Sequence, residues 1–376
     1  MSELGVGIIG CGNISSTYLK LGVLFKNIEI RAVADLNMDA AKSRAKEFGV
    51  DARTVDELLA SDDIDIIVNL TIPDAHFSVT KSILEAGKHA YSEKPLVLTL
   101  EEGESLRALS SEKNLRVGSA PDTVLGSAHQ LARRSIDEGL VGKIVAGTCH
   151  VMSHGMESWH PNPDFFFLPG AGPVLDVGPY YIANLINLIG PVKRVAALAS
   201  AASETRTIEK GDRKGETVPV KTPTNIHALL EFHNGATITL SASWDVWKHR
   251  QSNMELDSDE GSIFVPDPTF FGGLVEFAGR DGDIKEVEEW GHVLGVPNEQ
   301  HDSGMMANYR TAGLADMAAA IVENRDHRCS LEFAIHAVDV LTSIIISGET
   351  GTFIDLTTTC DRPAPLGPED AQALMK

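Results

Sequence analysis

Cysteine is scarce: the 376 residues hold four, at Cys11, Cys149, Cys329 and Cys360. No two form a CxxC pair, and none has metal-ligand spacing. A zinc module and a disulfide-stapled fold are therefore not expected, and neither is any other metal site. Reduced thiols in a cytoplasmic protein are expected instead. Long apolar runs are also missing, so no membrane span is expected. The chain enters its first strand signal without a charged-then-apolar leader, so no secretory signal is expected. Basic residues are in the minority. Lys and Arg number 32 against 53 Asp and Glu, for a formal charge of −21. Such a balance argues against nucleic acid and acidic membranes as partners, because both present anionic phosphate. No internal repeat is evident. The length suffices for two domains with sizeable cores.

The first thirty-five residues organise the rest. An apolar run from Leu4 leads into Gly10-Cys-Gly12-Asn13-Ile14-Ser15, and a second run, Ile28 to Ala34, ends on Asp35. This is the pattern of a dinucleotide-binding βαβ unit. Gly10 allows the tight turn out of the strand. Gly12 leaves room for a pyrophosphate, and the N–H groups of Gly12, Asn13 and Ile14 open a helix whose positive end faces it. Ser15 is small enough for close strand–helix packing. Asp35 lies 25 residues after Gly10. Its carboxylate suits the adenosine ribose hydroxyls and repels a 2′-phosphate, which favours NAD over NADP.

Residues 6–119 alternate strand and helix signals. Strands are expected over 28–34, 64–70, 89–91 and 115–119, and helices over 75–86 and 100–112. Thr54–Glu57 and Thr99–Glu102 read as capping boxes. The rhythm predicts a doubly wound parallel sheet, hence an α/β domain over 1–122. The character changes after Pro121. A helix is expected over 124–138, and then strands dominate, with hairpin signals at His233-Asn-Gly235 and Asp259-Glu-Gly261. A second, α+β domain with an open, mainly antiparallel sheet is therefore expected over 123–376. Residues 202–223 read as an exposed excursion. Stretches 304–323 and 331–347 read as helices, and the tail from Arg362 as an extended or disordered arm. Leu229, Ile238, Leu240 and Trp244 share strands with Ala228, Leu230 and Phe232, so both sheet faces seek cover. One face is expected on the helices and the other on a second subunit, in a homodimer or homotetramer.

Several polar groups carry candidate chemistry. Ser92-Glu93-Lys94-Pro95 follows a strand of the parallel sheet, at the carboxyl end where ligands sit. A lysine there can hold a substrate oxygen and assist departure of a hydride from the attached carbon. Asp176 and Tyr180 are four apart at a helix start, so both can face one cleft. Asp122 and Thr123, at another strand end, could hold hydroxyls. Trp159, Phe165 to Phe167 and Tyr181 are aromatics near the proposed site, and Trp159 and Tyr181 are candidates for stacking on a sugar face. Asn308-Tyr-Arg310 reads as a helix opening, with Asn308 the candidate substrate contact.

Gly10-Cys-Gly-Asn-Ile, Asp35, Ile72-Pro73-x-x-His76, Glu93-Lys94-Pro95 and Asp176-x-Gly178 occur in an order that resembles the Gfo/Idh/MocA oxidoreductases, over essentially the whole chain. The resemblance implies a Rossmann domain followed by an open-sheet domain, a nicotinamide cofactor, and a sugar, polyol or sugar-derivative substrate. It matches Lys94 and Asp176 to the family's catalytic lysine and aspartate. Pro73 and His76 match the loop along the cofactor, with Thr71 and Glu93 beside them as cofactor contacts. Many members carry a histidine four residues after the aspartate; here Tyr180 stands there. The proton acceptor is then either Tyr180, its charged form favoured by Lys94, or His160 from the preceding loop. The function expected is an NAD-dependent sugar or polyol dehydrogenase or reductase. The alternatives are a glycoside hydrolase using transient redox and a non-catalytic NAD-binding regulator.

Overall fold

Apolar strands and capped helices alternate through the first third of the chain. In the computed structural model, which describes residues 3–301 and 304–376, these are β1 (Leu4–Ile9), α1 (Asn13–Gly22), β2 (Ile28–Ala34), α2 (Met38–Phe48), β3 (Asp51–Arg53), α3 (Val55–Ala60), β4 (Ile66–Asn69), α4 (Pro73–Glu85), β5 (His89–Ser92), α5 (Leu100–Lys113) and β6 (Val117–Ser119). The six strands pair in parallel in the order β3-β2-β1-β4-β5-β6. The chain reverses direction between β1 and β4, which opens a crevice above their carboxyl ends. Val6 and Ile8 pack into one core and Ile9 and Ile67 into another. Burial on both faces is why these strands are apolar without alternation. Both capping boxes form, Thr54 with Glu57 and Thr99 with Glu102. Strand β3 carried no signal: it is a short edge strand with mostly exposed side chains.

The rest of the chain adds α6 (Ser127–Asp137), β7 (Ile144–Met152), α7 (Pro173–Asp176), α8 (Gly178–Ile189), β8 (Val192–Ser200), β9 (Thr205–Thr207), β10 (Thr217–Pro219), β11 (Asn225–Phe232), β12 (Thr237–Ser243), β13 (Met254–Ser258), β14 (Ser262–Val265), β15 (Glu276–Ala278), β16 (Ile284–Glu286), β17 (Glu299–His301), β18 (Gly304–Met306), α9 (Ala312–Glu323), α10 (Leu331–Thr350), β19 (Ile354–Asp355) and α11 (Pro368–Leu374). Nine strands form the second sheet, β16-β15-β14-β13-β7-β12-β11-β8-β19. Only the β7–β12 pair is parallel; the other pairs are antiparallel.

Four expectations need correction. The helix expected over 124–138 is a 3-10 turn, Thr123–Leu125, followed by α6. The break is at Gly126, where a Cβ would come within 2.3 Å of the Phe271 carbonyl oxygen. The helix expected from 304 starts at Ala312, because residues 304–306 pair with 299–301 as a hairpin. Residues 202–223 are not a bare excursion. Strands β9 and β10 pair, and Ile208 and Val218 are buried with Met156, Phe167 and Trp244 in a small separate core. The tail is ordered. Helix α11 buries Ala371 and Leu374, and its end docks on the first sheet's side. There the Lys26 N–H donates to the Leu374 carbonyl at 2.7 Å, and the Lys376 N–H to the Leu24 carbonyl at 2.9 Å.

The faces of the second sheet also differ from expectation. Ile238 and Leu240 lie on the covered face with Ala228, Leu230 and Phe232, and Trp244 belongs to the small core. The free face keeps Leu198, 75 % exposed, and Leu229, 47 % exposed, among His227, Thr239 and Ser241. Helix α10 is long and apolar enough to cross a membrane by length and composition, but 72 % of its apolar window is buried inside the protein. It packs on β8 and α8 as a core helix.

Candidate active site

The glycine turn is built by local constraint. Gly10 has φ +104°, and a Cβ there would lie 2.6 Å from the Leu70 carbonyl carbon and oxygen, so only glycine fits. At Gly12 a Cβ would meet nothing within 4 Å. Open space therefore lies before the first turn of α1, and Gly12 supplies no side-chain cap to that turn. Asn13 and Ile14 begin the helix there, and the buried Ser15 hydroxyl turns back to the Gly12 carbonyl at 2.6 Å. Free helix N–H groups beside open space suit a diphosphate. One Asp35 oxygen accepts the Cys11 N–H at 2.7 Å and the other the Asn37 N–H at 2.8 Å. Each oxygen keeps a lone pair for a ribose hydroxyl. Leu36, 99 % exposed, and Ile72, 66 % exposed, follow the carboxyl ends of β2 and β4. Sequence reasoning passed over both, although an apolar residue bared at such a strand end can cover a flat ring. These features fit a bound dinucleotide.

The loops after β4 and β5 brace each other. The buried Asn69 amide donates to the His76 carbonyl and to Thr80, both at 3.0 Å, and its oxygen accepts the Thr71 hydroxyl at 2.7 Å. His76 is 1 % exposed, and its ring nitrogens face the Pro95 carbonyl at 2.6 Å and the Thr71 carbonyl at 3.0 Å. His76 is thus a buried brace between the two loops: each ring nitrogen lies against a loop carbonyl, and the one that carries the proton donates. Pro73 opens α4 and is exposed. Glu93 is likewise engaged: it accepts the Tyr18 hydroxyl at 2.9 Å and the Lys94 N–H at 3.1 Å. The Lys94–Pro95 and Ala120–Pro121 peptide bonds are cis.

Lys94 and Asp176 come together from the two sheets' territories. The Lys94 ammonium donates to the Asp176 carbonyl at 2.6 Å and to Oδ1 at 3.1 Å. Their side chains are 17 % and 26 % exposed. Burial by itself would lower the amine's pKa, but Asp176, then Tyr180 and Glu93, outweigh it and hold the amine above the ordinary lysine range. Lys94 is therefore a cationic donor, not a base, at neutral pH. Asp176 ends the short α7 instead of opening a helix, and Tyr180 lies in the first turn of α8, which Pro179 restarts. The Lys94 ammonium sits 5.5 Å from the centre of the Tyr180 ring.

His160 makes its contacts within its own loop. Its Nδ1 accepts the Asn162 N–H at 3.1 Å, and its ring meets Trp159, Phe165 and Phe166 edge-on. Trp159 is 54 % exposed on the same loop. Tyr181 is a core residue, 2 % exposed, whose hydroxyl donates to the His150 carbonyl at 3.1 Å. One residue along α8 rotates it by about 100° away from Tyr180. Asp122 is buried and accepts the Thr311 and Gly313 N–H groups at 2.9 and 3.0 Å, so it caps α9. Burial, only partly offset by those bonds and by Arg310, pushes its pKa up to about 6. Thr123 is buried with its hydroxyl unpaired. Asn308 does not present its amide as a free group: it donates to Glu299, and its oxygen accepts Arg310 Nη1 at 3.2 Å.

Residues 4–120 match the model of an oxidoreductase family with an NAD-binding Rossmann fold, and residues 129–264 match the GFO/IDH/MocA C-terminal domain. Levoglucosan dehydrogenase of Pseudarthrobacter phenanthrenivorans is 27 % identical over 294 residues, covering 70 % of this chain and 73 % of that protein. 1,5-Anhydro-D-fructose reductase of Ensifer adhaerens is 24 % identical over 266 residues, covering 68 % and 74 %. A solved structure of levoglucosan dehydrogenase with NADH and L-sorbose matches with a TM-score of 0.79 and 21 % identity, covering 95 % of this chain and 100 % of that one. It shares the fold. With both family domains matched in order along one chain, this protein belongs to the Gfo/Idh/MocA oxidoreductases.

Proposed function

We propose that this protein is an NAD-dependent dehydrogenase or reductase of a sugar, polyol or sugar derivative. The observation that carries the reading is the Lys94–Asp176 pair beside Tyr180, at the carboxyl end of β5. The substrates named by the levoglucosan and anhydrofructose relatives support the substrate class. NAD, when bound, supplies the hydride acceptor. Gly10, Gly12, Asn13 and Ile14 form its diphosphate cradle, Asp35 takes the adenosine ribose, and Leu36 and Ile72 flank it. Thr71, Pro73, Glu93 and the His76 brace shape the loops alongside. Lys94 donates to the substrate oxygen and stabilises its alkoxide character as the carbon–hydrogen bond breaks. Asp176 fixes Lys94, and Tyr180 takes the hydroxyl proton. Tyr180 is preferred to His160 because it neighbours Lys94 while His160 is committed to its aromatic loop. The functional division falls at residues 122/123, the setting is the cytoplasm, and Leu198 and Leu229 on the free sheet face contact a second subunit.

NAD+ mixed with levoglucosan, myo-inositol and a panel of aldoses should produce reduced nicotinamide absorbance. Tyr180→Phe should cut that rate by about 10²-fold or more, the scale of a lost acid–base group, and His160→Ala by less than about threefold. Sugar release without net cofactor reduction would select the transient-redox reading instead. No turnover of any kind across the panel would count against both.

A further inference from the structure

The adenosine end of the crevice is acidic in sequence, although a dinucleotide is an anion. Residues 10–19, 35–41 and 69–75 hold no lysine or arginine, yet they carry Asp35, Asp39 and Asp74. One cation enters from outside these stretches. Arg44, midway along α2, donates from Nη2 to the Gly12 carbonyl at 3.2 Å. Its Nη1 pairs with Glu47 at 2.7 Å. The neighbours Lys42, Ser43, Lys46 and Glu47 stand in solvent, whereas the Arg44 side chain is 19 % exposed. An i,i+3 pair on a helix surface asks for no such burial. Nor does the Gly12 carbonyl lack a donor, since it already accepts the Ser15 hydroxyl at 2.6 Å. On the preceding residue Asp35 holds the turn, its Oδ2 accepting the Cys11 N–H at 2.7 Å. A carboxylate on residue 11 and a guanidinium on residue 12 thus border the open space at Gly12, where a Cβ would meet nothing within 4 Å. A guanidinium has five N–H donors. The Nε donor, and one on each of Nη1 and Nη2, have no partner among the described residues.

We propose that Arg44 is a cofactor-binding residue whose guanidinium meets a phosphate on the adenosine half of the dinucleotide. This rests on the glycine turn holding that dinucleotide, and not on the catalytic roles of Lys94 and Tyr180. The N–H groups at the start of α1 offer a diphosphate only partial positive charge. The Asp35 carboxylate nearby adds negative charge of its own. Arg44 supplies a full countercharge, in a planar fork that can bond two phosphate oxygens at once. Glu47 and the Gly12 carbonyl hold the fork in place before a ligand arrives, so binding costs it little further order. Two phosphates qualify. One is the diphosphate common to NAD and NADP. The other is the 2′-phosphate of NADP alone, for which the guanidinium would offset repulsion from Asp35.

Fluorescence titration of the whole protein with NADH and with NADPH tests this without a substrate. Arg44→Gln should weaken binding by about tenfold, the scale of one charge-assisted hydrogen bond. It should also flatten the fall of affinity with added salt. Equal losses for the two cofactors select the diphosphate, and a loss confined to NADPH selects the 2′-phosphate. Adenosine carries no phosphate, so its affinity, read by competition, should stay within about twofold. Arg44→Lys, which keeps the charge without the fork, should fall between wild type and Arg44→Gln. The same loss should appear when Arg44→Gln is made on a Glu47→Gln background, where no carboxylate is left unpaired. Unchanged affinity for both cofactors overturns the proposal. So does an equal loss for adenosine, or a loss that vanishes on the Glu47→Gln background. A wild-type protein that binds neither cofactor would refute the dinucleotide reading of the glycine turn itself, and Arg44 with it.

Discussion

The glycine turn and the Lys94–Tyr180 cleft are held by opposite means. The turn is local: Gly10, Gly12, Asp35 and Leu70 follow the carboxyl ends of the adjacent parallel strands β1, β2 and β4, and short-range contacts fix them. The cleft is assembled from Lys94, Asp176 and Tyr180, which only the full tertiary fold brings near one another. A site of the first kind is built from shape, and one added methyl can destroy it. A site of the second kind is built from charge, and its members fail in proportion to the charge they carry.

That contrast breaks most visibly at Lys94. Lys94→Ala should lower kcat by about 10³-fold, the scale of a lost transition-state donor, with NADH affinity changed less than about threefold. Steady-state kinetics beside a binding titration checks it. A variant retaining wild-type turnover would show that the cleft is not the reaction centre. The two glycines sharpen the local side. Gly12→Ala should weaken NADH by about 10²-fold or more while leaving urea stability within about 0.5 kcal/mol, because its Cβ enters ligand space only. Gly10→Ala should instead lose several kcal/mol, on the order of 3, from left-handed strain plus the clash with Leu70. Equal stability losses in the two variants would contradict the distinction.

Acid stability tests the buried histidines next. His129, His292 and His336 are buried, and burial pushes each pKa down to about 4. All three belong to the second part of the chain. In the window between about 4 and the ordinary 6.5, the unfolded state binds more protons, so stability falls as pH falls. Each contributes on the order of 3 kcal/mol, together comparable to a domain's whole stability. Asp122 runs the other way. With its pKa pushed up to about 6, the folded state binds more protons between about 4 and 6, so its charge costs stability as pH rises. The three histidines outweigh one aspartate, so urea unfolding should show net loss of stability from pH 7 to 4. The opposite sign is expected of Asp122→Asn, which keeps an acceptor for the α9 N–H groups. It should be more stable than wild type above pH 6, by up to about 3 kcal/mol, and about equal below pH 4. Lower stability at pH 8 would show that the capping bonds outweigh the burial cost.

The same division governs what could be read in advance. Strands β1, β2, β4 and β5, the capping boxes, the glycine turn and Asp35 are expressed in contiguous residues, so they were legible. Lys94 and Asp176 were legible because each sits in a short distinctive string, Glu-Lys-Pro and Asp-x-Gly. The turn at Thr311 was obscured by the helix expected from 304: no glycine marks this left-handed residue, and the carboxylate that accepts its N–H is 189 residues away. Tyr181, a candidate for stacking on a sugar, is turned into the core by the helix rotation that separates it from Tyr180. His160 has the right residue type, and its ring packs edge-on against Trp159, Phe165 and Phe166, contacts that residue type alone does not reveal. The anchored β9–β10 hairpin and α11 rest on a few buried side chains whose partners lie far along the chain, and local periodicity does not register such contacts.

A structure of the NADH complex tests the central claim most directly. The nicotinamide C4 should face the gap between the Lys94 ammonium and the Tyr180 hydroxyl. That gap should be wide enough for one carbinol carbon about 3.5 Å from C4. A ring lodged elsewhere in the crevice, with Lys94 and Tyr180 out of reach of any atom on C4, would contradict it.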